Sequence, residues 1–140
     1  MKSRRTAVVH DWLDVWGGAE SVTAAMLSIL GDAQLHALFD HLSPENRCRM
    51  GVEHVETTFL QHIPGLKSRF WYGLPLMPLA IEQFDLRGYD TIVSSSHAFA
   101  KGVLTTADQL HVSYVHSPMR YAWDLHHEYL SDYGMTRGLK

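Results

Sequence analysis

Apolar residues in this chain come in short runs separated by polar, glycine-bearing turns. Thr6-Ala7-Val8-Val9-His10 is an apolar run that ends on polar groups, and it predicts a first strand. Gly17-Gly18 then precedes a helical pattern over residues 19–30, stopped by Gly31. Val22, Met26, Ile29 and Leu30 recur at helical spacing there and are expected to pack on a sheet. Residues 34–39 predict a second strand and residues 53–57 a third. Pro78, at a first helical turn, opens a helix over residues 79–84, and residues 89–96 predict a fourth strand. The last strand falls on Leu110-His111-Val112-Ser113-Tyr114-Val115, rich in β-branched and aromatic side chains. Pro118 cannot donate to a ladder and pushes Ser117 towards extended geometry, so the strand is expected to end there. A final helix is expected over residues 121–133, running out at Gly134 and Gly138.

Strands alternating with helices predict an α/β fold, a parallel doubly wound sheet flanked by helices. Such a sheet is buried on both faces, which explains strands that read as continuous apolar runs. With 140 residues the chain makes one domain or part of a larger one. A single cysteine, Cys48, excludes an internal disulfide framework and a four-cysteine metal site. The net charge of −3, with lysines and arginines scattered, gives no reason to expect a nucleic-acid partner. After the basic start Met1-Lys2-Ser3-Arg4-Arg5, the apolar run is too short for a signal-peptide core, and no run approaches transmembrane length. The expected location is cytoplasmic.

Three strand ends carry polar residues towards one sheet edge. They are His10-Asp11 with Gly17-Gly18, then Ser94-Ser95-Ser96-His97, then His116-Ser117. In an open α/β sheet, ligands bind beyond the carboxyl ends of the strands. Paired glycines before a helix let a ligand approach the backbone closely, and the helix N-terminus offers free N–H groups and partial positive charge. That suits a diphosphate or a sugar; a tight turn that merely packs the helix on the sheet explains the same glycines equally well. No Gly-x-Gly-x-x-Gly and no Gly-Lys-Ser/Thr phosphate loop occurs. His10, His97 and His116 could meet with Asp11 as in a metallohydrolase, but no His-Glu-x-x-His spacing exists, and no metal is expected. A nucleophilic serine is also disfavoured: there is no Gly-x-Ser-x-Gly elbow, and Ser96 and His97 would point to opposite faces of a strand.

Residues 64–77 differ in kind, mixing Lys67 and Arg69 with Phe70, Trp71 and Tyr72 before a proline-broken apolar run. Most of these aromatics are expected to cover the core. Lys67, Arg69 and one or two of Phe70, Trp71 and Tyr72, with Trp71 the first choice, are expected on an exposed lip that meets anionic lipid.

Together these blocks resemble the N-terminal half of family 4 retaining glycosyltransferases, the glycosyl transferases group 1 proteins, in a mannosyltransferase-like subgroup. The matching text is Val8-Val9-His10-Asp11-Trp12-Leu13, Gly17-Gly18-Ala19-Glu20 and Pro75-Leu76-Met77-Pro78-Leu79-Ala80-Ile81-Glu82-Gln83-Phe84-Asp85. It continues with Ser94-Ser95-Ser96-His97-Ala98-Phe99-Ala100-Lys101-Gly102 and His116-Ser117-Pro118-Met119-Arg120-Tyr121-Ala122-Trp123-Asp124, in order along nearly the whole chain.

The resemblance implies a GT-B fold of two facing Rossmann-like halves. Residues 1–140 would be the acceptor-side half, itself incomplete, with the C-terminal donor-binding half outside the chain. The implied reaction moves a hexose, such as mannose, from a nucleotide-sugar to a polysaccharide or glycolipid acceptor with retention of configuration. It needs no cofactor. Gly17 and Gly18 would approach the donor diphosphate, and His116 would lie against the transferred sugar. Beside these, Asp11 and His97 are suited to acceptor hydroxyls. Arg120 could meet phosphate on a lipid-linked acceptor or pair with Asp124 one helical turn on. Such a protein would work at the inner face of a membrane, and this chain alone is expected to have no useful transferase activity. Two rivals stand beside it: a stand-alone sugar- or nucleotide-binding module with a separate donor-domain partner, and a metal-dependent hydrolase.

Overall fold

The computed structural model describes residues 5–117; the expected helix over 121–133 and Arg120 lie outside the described residues, as does the side chain of Trp71. Within them the chain forms a five-stranded, wholly parallel sheet flanked by helices, a Rossmann-like α/β fold. In chain order the strands are β1 (Thr6–His10), β2 (Ala33–Ala37), β3 (Val55–Thr57), β4 (Thr91–Ser96) and β5 (Leu110–Val115). The helices are α1 (Gly18–Leu30), α2 (Pro44–Met50), α3 (Phe70–Gly73) and α4 (Met77–Glu82), with short 3-10 turns between them.

The strands lie in the order β3-β2-β1-β4-β5. The chain therefore builds outward from β1 through β2 to β3, then returns to lay β4 on the other side of β1. That reversal makes the carboxyl ends of β1 and β4 the topological switch point, the place where open α/β sheets bind ligands. The register there sets His10 opposite Ser95.

Period-two alternation along β1 divides the core. Ala7 and Val9 face a layer with Phe39, Leu60, Leu66, Met77, Ile81 and Ile92, under the long connection between β3 and β4. Val8 faces Leu27, Leu35, Met50 and Val55, under α1 and α2. All these side chains are buried, and each large one contributes on the order of 1.5–3 kcal/mol of transfer free energy.

The face of α1 differs from the sequence expectation. Ile29 is 84% exposed and Leu30 lies at the surface, while Glu20, Thr23 and Leu27 are the buried residues. The physical reason is that the sheet beneath α1 presents polar groups, His10 and Ser95, and the helix turns its polar residues down to meet them. Helix α2 was not foreseen; Ser43 caps it by accepting from the Asn46 N–H, Pro44 follows at its first turn, and Gly51 closes it in the left-handed region.

Candidate functional site

Beyond the carboxyl ends of β1, β4 and β5, two buried clusters form on opposite faces of the sheet. They start from neighbours in the sequence, His10 and Asp11, both with no exposed surface.

Asp11 turns towards the loop after β4. One carboxylate oxygen accepts the N–H groups of His97 (2.6 Å) and Ala98 (3.0 Å), and the other those of Phe99 (2.6 Å) and Ala100 (2.6 Å). His97 adds its Nδ1 at 2.9 Å from Oδ2, and the Ser96 hydroxyl lies 3.4 Å from Oδ1. Burial by itself would raise the pKa of this carboxyl. The His97 hydrogen bond and charge, then the backbone N–H groups of Ala100 and His97, outweigh it and hold the pKa well below the carboxylate range. The carboxylate is thus spent on fixing the loop 97–100, and the role it plays here is architectural. His97 remains partly open, its ring edge-on to Trp12 at 4.6 Å between centroids.

His10 turns the other way, under α1. Its Nδ1 lies 3.1 Å from the Ser95 carbonyl oxygen, 3.2 Å from the Ser95 hydroxyl and 3.1 Å from the Thr23 hydroxyl. The two hydroxyls are 2.8 Å apart, and Ser95 Oγ is 2.8 Å from Nε2 of His116 at the end of β5. On the other side of the ring, Nε2 stands 3.5 Å from Glu20 Oε1, and Glu20 Oε2 accepts the Gly17 N–H at 2.9 Å. A chain of polar contacts therefore runs from His116 to the glycine turn, hydrogen-bonded throughout except at the 3.5 Å approach of His10 Nε2 to Glu20.

One arrangement of protons satisfies the hydroxyl part of it. Thr23 donates to the Ala19 carbonyl and Ser95 to Thr23, while His10 Nδ1–H donates to the Ser95 carbonyl. His116 Nε2–H then donates to Ser95 Oγ, which leaves Nδ1 as the acceptor nitrogen of the neutral ring. Burial, followed by the charges of His10 and His97, pushes the His116 pKa below the ordinary histidine value, against the pull of Asp11 and Glu20. The neutral ring is therefore favoured near pH 7.

Gly17 caps α1 in an extended conformation, and a Cβ there would come within 3.1 Å of Glu20 Oε2. Gly18, the first residue of α1, is exposed; a Cβ there would meet nothing within 4 Å, and its φ is not in the left-handed region. Glycine at a helical position costs roughly 0.5–1 kcal/mol relative to alanine. Neither the backbone nor the packing of Gly18 asks for that cost.

The structure thus brings His116 and Gly17 onto one chain of polar contacts, with Gly18 beside Gly17, and Asp11 and His97 into the adjoining cluster. Ser95, from the serine run at the end of β4, joins them, and so do two members that the sequence pattern gave no reason to place here, Glu20 and Thr23. Among the described residues no group of three or more histidine, cysteine, aspartate or glutamate side chains is arranged to hold a metal ion.

The segment 64–77 meets this edge through Trp12, which also packs on His97, and Lys67 Nζ stands 4.0 Å from Asp14 Oδ1. Phe70 packs into the core edge-on to Trp12 at 4.9 Å, whereas Lys67, Arg69 and Tyr72 are exposed. Ile63, Pro64, Leu66, Tyr72 and Leu76 line a largely apolar pocket of about 240 Å³, with Arg69 among its walls. No helix among the described residues is long and apolar enough to cross a membrane.

Comparison of the chain with protein-family models, with curated proteins and with solved structures returned no match.

Proposed function

We propose that this chain is the acceptor-side half of a retaining glycosyltransferase, with the glycine turn meeting the donor diphosphate and His116 meeting the transferred sugar. The observation that carries the reading is Gly18. A glycine that its own fold does not require stands at a helix N-terminus, beside the switch point of the sheet and next to Gly17, where the polar chain from His116 ends. A missing side chain there serves something that approaches from outside, and a helix N-terminus favours an anion.

The chemistry follows from the charges that develop in glycosyl transfer. The sugar becomes cation-like while negative charge grows on the departing diphosphate. N–H groups at the start of α1 can meet that anion, each charge-assisted hydrogen bond being worth about 1.5–3 kcal/mol. His116, neutral and anchored through Nε2 to Ser95, can offer Nδ1 or its carbonyl to a sugar hydroxyl and so position the ring. His97, partly open beside it, suits an acceptor hydroxyl. The rest of the leaving-group stabilisation is assigned to a donor-binding half, as a separate domain or partner. Lys67, Arg69, Tyr72 and the apolar pocket beside them fit a face laid on anionic lipid, which would bring a lipid-linked acceptor to the site.

The test is amide NMR of the chain titrated with a guanosine or uridine diphosphate hexose. Shifts confined to Gly17, Gly18, Ala19 and His116 are expected. Shifts elsewhere only, or none at millimolar ligand, would overturn the reading. Sedimentation with anionic vesicles tests the lipid face: binding is expected for the parent and not for Lys67→Glu/Arg69→Glu. Turnover of a nucleotide-sugar by the chain alone would remove the need for a second half.

A further inference from the structure

The glycine turn contains an apparent contradiction. A helix N-terminus attracts anions because its free N–H groups amount to about half a positive charge. At α1 a carboxylate already sits there: Glu20 accepts the Gly17 N–H and is nearly buried. Its pKa is held below the ordinary glutamate value, because the contacts of His10, its own backbone N–H and Gly17 outweigh the burial that would raise it. An ionised Glu20 would cancel the helix charge and repel a diphosphate.

His10 resolves this. The imidazole is wholly buried, and both nitrogens look onto acceptors: Nδ1 onto the Ser95 carbonyl at 3.1 Å, and Nε2 onto Glu20 Oε1 at 3.5 Å. That Nε2 has no hydrogen-bond partner, and a lone pair directed at a carboxylate would be repulsive. We propose that His10 is held as an imidazolium, as the counter-charge that offsets Glu20 and keeps the glycine turn attractive to an anion. With a positive ring behind it, Glu20 can hold the Gly17 N–H in place while the net charge at the start of α1 stays positive. His10 then acts through Glu20 as a positioning residue and touches no substrate.

The charged and titratable groups that face this ring are few. Glu20 lies above it on α1, His97 stands 6.4 Å away between ring centroids after β4, and His116 lies beyond Ser95 after β5. Asp11 next to it in sequence turns to the other face and spends its charge on the loop 97–100. Glu20 is therefore the one carboxylate at contact distance among the described residues. Thr23 and Ser95 add hydroxyl oxygens, which accept from a protonated ring as readily as they donate elsewhere.

The inference rests on the proposed anion-binding role of the turn, and the experiment separates the two. Imidazole nitrogen NMR on the histidine-labelled chain reads the state of His10 directly, with no variant needed. Both ring nitrogens are expected to be protonated at pH 7. A neutral ring overturns the proposal and leaves the anion reading standing.

Inorganic pyrophosphate, titrated by calorimetry, is the binding probe. His10→Gln is expected to weaken its binding about tenfold, the size of one charge-assisted contact. Glu20→Gln is expected to hold or tighten it, and the double variant His10→Gln/Glu20→Gln to return to within about threefold of the parent. A purely structural role for His10 would give a double variant no better than the single one, and that result overturns the proposal. Equal binding by parent and His10→Gln does the same. A protonated His10 in a chain that binds no pyrophosphate would instead bring down the anion reading, and this proposal with it.

Discussion

Asp11 and His10 are adjacent in sequence and equally buried, yet their surroundings differ in a way that separates architecture from function. Asp11 is saturated: four backbone N–H groups and the His97 ring meet its two oxygens. Nothing on the carboxylate itself is left over for a ligand; only the His97 ring keeps an open side. His10 is under-satisfied, with one nitrogen lacking a hydrogen bond and a carboxylate at 3.5 Å. Its cluster runs out to an exposed glycine and to a histidine at a strand tip. A buried charge whose donors and acceptors all balance holds a fold together. One whose balance is incomplete and leads to the surface is where a ligand can enter the accounting.

The largest effect should come from breaking the saturated side. Asp11→Asn replaces one acceptor oxygen by an NH2 that faces two N–H donors. It is expected to cost about 3 kcal/mol or more, by analogy with breaking a buried ion pair. Urea unfolding of the two chains measures it, and a loss under 1 kcal/mol would mean that the loop 97–100 does not depend on the carboxylate. The pH dependence has a definite sign. The folded pKa of Asp11 lies below its unfolded value, so its contribution is fully present above the ordinary carboxylate range. It is lost as the pH falls through that range towards the folded value. Acid should therefore narrow the stability gap between parent and Asp11→Asn, and a gap constant from pH 7 to pH 3 would contradict the assignment.

On the other side a smaller loss is expected. Thr23→Val keeps the side-chain shape and removes the hydroxyl that bridges His10, Ser95 and the Ala19 carbonyl. The cost should be about 1–3 kcal/mol, the penalty for leaving buried partners unpaired. Thermal unfolding gives the magnitude. The NMR titration of His116 should also move, since Ser95 would lose the acceptor for its proton and turn that proton towards His116 Nε2. An unchanged His116 would show that the chain of contacts is not coupled.

The difference between the two faces also explains what could be read in the sequence. Strands β1 and β5 were legible to the residue: β1 is a buried apolar run, and β5, though largely exposed, is rich in β-branched and aromatic residues with Pro118 marking an end. The strand-tip positions of His97, His116 and the glycine pair were legible for the same reason. The face of α1 was not: hydropathy sends Glu20 and Thr23 to solvent and Ile29 to the core, and the structure reverses both. Thr23 is buried because it meets Ser95, 72 positions away, and no local pattern carries that information. Helix α2 did carry its own signal in Ser43-Pro44, a cap followed by a first-turn proline, but its seven residues are too few for a periodicity to show. Asp11 looked like an open strand-tip carboxylate, since the N–H groups that claim it lie 86 to 89 positions further on.

The smallest expected change in stability is the most telling about function. Gly18→Ala places a Cβ into open space at the first position of α1, with no backbone penalty. It should stabilise the chain by about 0.4–1 kcal/mol, mainly by restricting the unfolded state. If the glycine is there for close approach, the same substitution should weaken pyrophosphate binding while the protein becomes more stable. Destabilisation would mean that the turn has an internal need for glycine. Unchanged binding would mean that the ligand, if there is one, does not come to this backbone. Only a gain in stability joined to a loss of binding separates a glycine kept for a ligand from one kept for the fold.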